Sequence, residues 1–208
     1  MIRKLMPIVN VKNNSPVSRA ENKLAGAARA FSYNFRNKTV LDIGSSTGGF
    51  TEFALLCGAK KVIAVEKGTN QMKAPLCFDQ RIDLREKTDI FTVTHEALDL
   101  GKSHLDLILA DVSFISLRPV LLHVKSHLVS PQTEFLVMLK PQFEAKPFQL
   151  KKGIIKNEKI RREIIKEFEV WLRTHGFLIL NKRDNLLAGK NGNLERFYYL
   201  KLAKSSNL

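Results

Sequence analysis

Residues 39–50 read TVLDIGSSTGGF and residues 64–68 read AVEKG. The first stretch is an apolar run that breaks into small residues and glycines, and the FTEFALLCG that follows has helix-forming content. Roughly twenty residues beyond the glycines a second apolar run, KVIAVE, ends in an acid, Glu66. This is the layout of a nucleotide-binding βαβ unit. Glycines let backbone approach a ligand, and the acid accepts hydrogen bonds from ribose hydroxyls. Turns of this kind also serve plain strand-to-helix packing, so the glycines alone decide little.

The spacing narrows the ligand. Gly44 is followed by SSTGG rather than by the second and third glycines of GxGxxG, and Asp42 stands two residues before Gly44. A carboxylate there would repel a dinucleotide's pyrophosphate, but it can pair with a cationic amino acid moiety. S-adenosylmethionine has an adenosine, an amino acid and no phosphate. The expected cofactor set is Asp42, Gly44, Ser45, Ser46, Thr47, Gly48, Gly49, Phe50, Glu66 and Lys67, with Asp89 and Asp111 from later strand ends.

A chain of 208 residues holds one α/β domain with a proper core. A hydrophobic content of 44% and a charged content of 26% suit a soluble globular protein. The net charge of +14 points further, to a polyanionic partner: nucleic acid first, an anionic membrane surface second. Half of that excess lies in the first 40 residues, where eight basic side chains (Arg3, Lys4, Lys12, Arg19, Lys23, Arg29, Arg36, Lys38) face one acid, Glu21. A localised basic face is expected. Cys57 and Cys77 are too few for a disulfide framework and read as reduced thiols. The N-terminus has no long apolar stretch or cleavage site, and no apolar run approaches bilayer length. These features give the expectation of a cytoplasmic protein without membrane association.

In chain order, residues 1–15 are short and polar, with IVNV as an extended piece, and residues 15–31 form an amphipathic helix candidate. A third strand is expected around Ile82–Glu86, ending near Thr88 and Asp89. That puts Asp89 at the carboxyl edge of the sheet, where adenine is expected, or else in the role of a turn cap. His104–Phe114, HLDLILADVSF, reads as a central parallel strand ending in Asp111. After a helix in SLRPVLLHVKSHL, EFLVMLKPQF gives a fifth strand ending in Lys140, Pro141 and Gln142. Asp111 and Lys140 thus stand at the carboxyl ends of two core strands, beside the cofactor loop, where doubly wound sheets bind their ligands. Glu144–Lys156 is expected as a long, basic, mobile loop, and Asn157 opens a helix whose stripe Ile160, Ile164, Ile165, Phe168, Trp171, Leu172 is core packing. FLILNKRD and RFYYLKL form a closing antiparallel hairpin.

His123 and His127 are four apart on one helix, but no third ligand is near, so no metal is expected. No GxSxG elbow is present and no Walker lysine follows the glycines.

The blocks VSRAENKL, LDIGSSTGGFT, AVEKGTNQM, REKTDI, ADVSFISL, LKPQFEA, KKGIIK and GKNGNLERF, in this order, resemble the FtsJ-type RNA 2′-O-methyltransferases, within them the hemolysin-A or TlyA-like group. The resemblance implies a Rossmann-like class I methyltransferase fold over residues 16–208, with a seven-stranded, mostly parallel sheet and helices on both faces. It implies S-adenosyl-L-methionine as cofactor and RNA, ribosomal RNA or ribosomal subunits, as partner. It also implies a catalytic Lys-Asp-Lys-Glu tetrad, matched here by Lys23, Asp111, Lys140 and Glu195. Departures are Ala20 and Glu21 in place of two glycines, Glu66 where Asp is usual, changes at Lys67 and Thr69, and Asp89 where Asn is usual. The family's small RNA-binding domain is not expected within the residues ahead of 16. RNA affinity is then expected from the N-terminal helix, the 146–156 loop or a targeting partner protein.

The chemistry fits the grouping. A ribose 2′-hydroxyl must lose its proton as it is methylated, and an ordinary lysine is too protonated to take it. A second lysine and partial burial would lower the pKa of Lys140, while Asp111 and Glu195 would offset that and hold both ammonium groups. Lys140 is expected as the base and Lys23 as the holder of the target ribose or its phosphate. A non-catalytic RNA and cofactor binder of the same fold is the alternative; a membrane-lytic protein, which the family name raises, lacks an exposed amphipathic stripe.

Overall fold

The computed structural model describes residues 19–101, 104–185, 189 and 192–203; the expected extended segment 1–15 and parts of the connection between the last two strands lie outside them. The elements are α1 (Arg19–Phe31), β1 (Thr39–Ile43), α2 (Gly49–Leu56), β2 (Lys61–Val65), β3 (Ile82–Arg85), β4 (Leu107–Ala110), α3 (Leu117–His127), β5 (Glu134–Leu139), α4 (Pro141–Glu144), α5 (Glu158–Thr174), β6 (Phe177–Asp184) and β7 (Arg196–Leu202). The strands form one sheet in the order β3-β2-β1-β4-β5-β7-β6. The first five are parallel, and β7 runs antiparallel between β5 and β6.

The central strands read as unbroken apolar runs because both faces are covered, as parallel strands require. Alternate residues supply two separate cores. Leu41, Ile43, Ile108, Ala110, Val137 and Leu139 pack with α3 and α5 through Val120, Val124, Ile165, Phe168 and Leu172. Val40, Leu107, Leu109, Leu136 and Met138 pack with α1 and α2 through Leu24, Ala27, Phe53 and Ala54. Asn157 caps α5 by accepting a hydrogen bond from the Lys159 N–H, and Ser116 caps α3 in the same way from Arg118.

Two expectations need correction. The strand expected over His104–Phe114 is only Leu107–Ala110, because the chain turns at Asp111 and leaves the ladder. Glu144–Lys156 is not a featureless loop. It holds a 3₁₀ turn at Pro147–Gln149 and a bridge between Lys151 and Ile154, and the Glu144 carboxylate is buried, accepting from Ser116 Oγ and the Leu117 N–H.

Register decides what meets at the carboxyl edge. Ile43 pairs with Ala110, Ala110 with Val137, and Leu139 with Arg196. Gly44, Asp111, Lys140 and Glu195 are each the next residue past a strand end, on four adjacent strands. Because β7 is antiparallel, its start, not its finish, lies at this edge. Among the described residues no helix is long and apolar enough to cross a membrane.

At the opposite edge Glu134 gathers four donors: Tyr199 Oη at 2.6 Å, Tyr33 Oη at 2.8 Å, Lys38 Nζ at 2.9 Å and Lys201 Nζ at 3.1 Å. Burial opposes its charge, but these partners outweigh burial and hold the carboxyl at about 2, below its ordinary 4.5. A depressed carboxyl stabilises the fold above its unfolded pKa and ceases to as pH falls through the folded one. Thermal unfolding followed from pH 7 to pH 2 should show this contribution vanish between about pH 4.5 and 2. Glu134→Gln should lower stability at pH 7 by about 1–3 kcal/mol and flatten that acid limb.

Candidate active site

A cavity of about 520 Å³ opens at the carboxyl ends of β1, β2 and β4. Of the residues expected to hold a cofactor, Gly44, Ser46, Glu66, Lys67, Asp89 and Asp111 border it. Gly44 has φ +78°, and a Cβ there would lie 2.9 Å from the Asp111 carbonyl oxygen, so only glycine lets β1 leave the sheet this close to the end of β4. Gly48, at φ +95°, is instead pressed against the side chains of Leu76 and Met72.

Glu66 holds the loop in shape. One of its oxygens accepts from the Ser46 N–H at 2.9 Å and the other from the Gly68 N–H at 2.7 Å. A carboxylate offers about four acceptor positions, so ribose hydroxyls can still be received. Asp89 lies at the carboxyl edge of the sheet, next to the cavity. It also caps a turn, accepting from the Phe91 N–H at 3.1 Å and from Lys67 Nζ at 2.8 Å. Lys67 is therefore a rim residue tied to Asp89, its side chain 81% exposed.

Other expected residues do not reach the cavity. Phe50 is buried, and its ring packs 5.9 Å from that of Phe197; it is a core residue, because the first turn of α2 points inward. Gly49 is buried in the same turn, Ser45 is buried beneath the loop, and Thr47 does not border the cavity. Asp42 is also set back. It is fully buried and accepts a hydrogen bond from Thr51 Oγ1 at 2.6 Å. Its other oxygen and Ser45 Oγ have no hydrogen-bond partner in the described structure. Two buried acceptors without donors beneath a glycine loop suit a ligand that brings N–H groups, directly or through water.

The four residues expected as a tetrad form two ion pairs. Lys140 Nζ lies 2.6 Å from Asp111 Oδ1, and its side chain is 11% exposed. Lys23, reaching from α1, donates to Glu195 Oε2. Glu195 is buried, and Gly189 fits against its carboxylate: a Cβ there would lie 2.8 Å from Oε1. Arg196, a sequence neighbour that could have claimed Glu195, instead makes a two-pronged pair with Asp184.

Sequence reasoning missed the wall formed by the loop after β4. Ser113, Phe114 and Ile115 border the cavity, and Ser113 Oγ accepts a hydrogen bond from Lys140 Nζ at 2.7 Å. Phe114 is 89% exposed at φ +66°. A large exposed ring beside an acid was the signal available in ADVSFISL. His123 and His127 stack on one another, and His123 Nε2 bonds the Val93 carbonyl. Among the described residues no group of three or more His, Cys, Asp or Glu could hold a metal.

A family model described as FtsJ-like methyltransferase matches residues 16–202. The chain is 36% identical to the Bacillus subtilis protein YqxC over 88% of its own length, and it spans 65% of the length of that relative. It is also 36% identical to the Campylobacter jejuni protein named 23S rRNA (cytidine-2′-O)-methyltransferase TlyA, over 88% of this chain and 70% of that one. The solved structure of a hemolysin-named Streptococcus thermophilus protein superposes with a TM-score of 0.86 at 30% identity, covering 94% of this chain and 70% of that one.

Burial pushes the Asp42 carboxyl up to about 7 from its ordinary 3.8, with the charges of Asp111 and Glu66 adding to the shift and the Thr51 hydrogen bond opposing it. The folded state therefore binds this proton more tightly than the unfolded chain. Its contribution is complete below about pH 4 and is lost as pH rises to about 7. Asp42→Asn should remove that loss, raising the midpoint of thermal unfolding at pH 8 by on the order of 5 °C and leaving it unchanged near pH 4. An Asp42→Asn variant less stable than the unaltered chain at pH 8 would contradict this.

Proposed function

The chain belongs to the FtsJ-like methyltransferase family, and we propose that it transfers a methyl group from S-adenosylmethionine to a ribose 2′-hydroxyl of ribosomal RNA. One observation carries the reading. Asp111 belongs to both halves of the site, bordering the nucleotide-sized cavity and pairing with Lys140. Whatever occupies the cavity is thereby held next to the base.

The residues fit the cofactor. Glu66 borders the cavity as an acceptor suited to ribose hydroxyls, Ile90 and Phe91 give it an apolar wall suited to adenine, and the acceptors of Asp42 and Ser45 lie buried behind the glycine loop. S-adenosylmethionine supplies an electrophilic methyl group. The chain's own residues prepare the other reactant. Lys140 takes the hydroxyl proton when its amine is neutral, and Asp111 holds the resulting ammonium in place. Lys23, anchored on Glu195, meets the ribose or its phosphate. Much of the acceleration comes from holding the hydroxyl against the methyl rather than from acid strength.

Exposed Lys146, Lys151, Lys152 and Lys156 on the segment after β5 give phosphate contacts on the same edge. Binding through such contacts weakens as salt rises. A partner protein that adds RNA affinity would act by supplying more of them.

The test is transfer of labelled methyl from S-adenosylmethionine to ribosomal subunits, followed by alkaline hydrolysis of the RNA. A 2′-O-methyl group blocks cleavage at its own linkage, so label should be recovered in an alkali-resistant dinucleotide. Label released as mononucleotide would place the methyl on a base and sink the proposal. Lys140→Ala should lower kcat by at least about a hundredfold while cofactor affinity, read by calorimetry, stays within about twofold.

A further inference from the structure

We propose that a second pocket, beside Lys23, receives the base of an RNA nucleotide adjoining the one that is methylated, an inference that rests on the ribose methyltransferase reading above. The pocket has a volume of about 210 Å³ and lies between α1 and the end of β6. Sheet order sets its relation to the chemistry. The cofactor cavity opens at β1, β2 and β4, Lys140 follows β5, Glu195 precedes β7, and β6 comes next. β6 is three strand spacings from β4, roughly 14 Å. Lys23 belongs to both neighbourhoods, since it donates to Glu195 and also lines the pocket. A single strand of RNA whose 2′-hydroxyl sits at Lys140 therefore carries a neighbouring nucleotide over the pocket.

A glycine in the pocket wall has no packing reason to be there. Gly26 lies in the middle of α1, in ordinary helical backbone, where glycine is less stable than alanine. Gly44 and Gly48 answer to close contacts and a positive φ. At Gly26 a Cβ would meet nothing within 4 Å. Its carbonyl accepts from Arg183 Nη1 at 3.1 Å, a bond that any residue there would offer. What a side chain at this position would take up is the space of the pocket.

The lining suits one unstacked base. Arg183 and Phe197 pair across β6 and β7, and both face α1. Phe197 and Ala27 are buried and form an apolar floor. Asn22 and Asn185 bring side-chain amides, each donor and acceptor, to the edge of a base. Arg183 makes no ion pair with a described residue, and its bond to Gly26 uses one of five N–H groups. Asp184 is turned toward α5 and held by Arg161 and Arg196, so it does not repel a phosphate. An apolar floor, amides at the rim and cations for the flanking phosphates are the means by which single-stranded RNA is held. With about 210 Å³ against about 520 Å³ in the cofactor cavity, the space fits a base and not a second cofactor.

The test measures binding of the full chain to ribosomal subunits and to a short fluorescein-labelled single-stranded RNA. Gly26→Leu fills the pocket and should weaken both about tenfold, the worth of one held base, with the Kd for S-adenosylmethionine unchanged. Gly26→Ala should raise the midpoint of thermal unfolding by about 2–4 °C and still bind RNA more weakly than the unaltered chain. Stability gained while binding is lost is a combination that a packing role does not produce. Arg183→Gln acts from the opposite wall. It should weaken binding and make the slope of log affinity against log salt shallower by about 0.7. Unchanged RNA affinity in a folded Gly26→Leu variant would overturn the proposal, as would a Gly26→Ala variant less stable than the unaltered chain. Where Gly26→Leu does not fold, unchanged affinity in Gly26→Ala with an unchanged salt slope in Arg183→Gln overturns it equally. An unaltered chain that binds no RNA sinks both this proposal and the function reading. If the variants weaken binding as expected but no label enters an alkali-resistant dinucleotide, the pocket stands as an RNA site. The ribose methyltransferase reading then falls, and with it the placing of that nucleotide beside a methylated one.

Discussion

The close approach of Gly44 to the Asp111 carbonyl is the constraint on which the rest of the site depends. Two parallel strands, β1 and β4, end side by side, and both must turn away without colliding. A side chain at residue 44 would meet backbone, which cannot move aside as a flexible side chain can. The strand ends would have to separate, and the separation would widen the cavity on one side while pulling Asp111 from Lys140 on the other. Loop, cavity and the Asp111–Lys140 pair thus depend on one van der Waals contact between main chains. The left-handed φ of Gly44 serves the same turn, so two independent restrictions select glycine at one position.

What the sequence made legible follows from how local each feature is. The glycine loop, Glu66, Asp111 and Lys140 could be placed because a parallel strand delivers its last residue to one edge, and apolar runs reveal where strands end. Lys23 and Glu195 could not be paired that way, being 172 residues apart and joined only because β7 is inserted antiparallel beside β5. Only the family pattern pointed to them. Phe50 was assigned to the cofactor by its place next to the glycines. The helical turn that begins at Gly49 points it at Phe197 instead, a rotation that spacing along the chain does not disclose. Ser113 went unread because a lone serine after a strand has no distinguishing pattern; its hydrogen bond comes from Lys140, at the end of the next strand.

Electrostatics in this molecule divide sharply between surface and site. The chain carries +14, yet the carboxyl edge concentrates acids: Asp42, Glu66, Asp111 and Glu195. An exposed basic surface attracts a phosphate backbone over many ångströms, while the buried acids act only at contact. Asp42 shows the cost of that arrangement. Its carboxyl is buried with one oxygen lacking a partner, a destabilising feature that a packing role does not explain.

The separation of the tetrad into two ion pairs has a mechanical consequence. Lys140–Asp111 ties β5 to β4, while Lys23–Glu195 ties α1 to β7. Each pair closes a different seam of the fold, and each leaves one cation at the shared edge. Removing a carboxylate would strand a nearly buried ammonium, a larger penalty than the pair itself contributes. Removing a lysine strands the acid. The same four side chains therefore hold the edge together and present two cations at fixed places on it, so the acceptor meets charges already positioned by folding. Lys140 is thus held at the end of a core strand rather than on a loop. The strand contributes rigidity, and the neighbouring acid contributes charge balance.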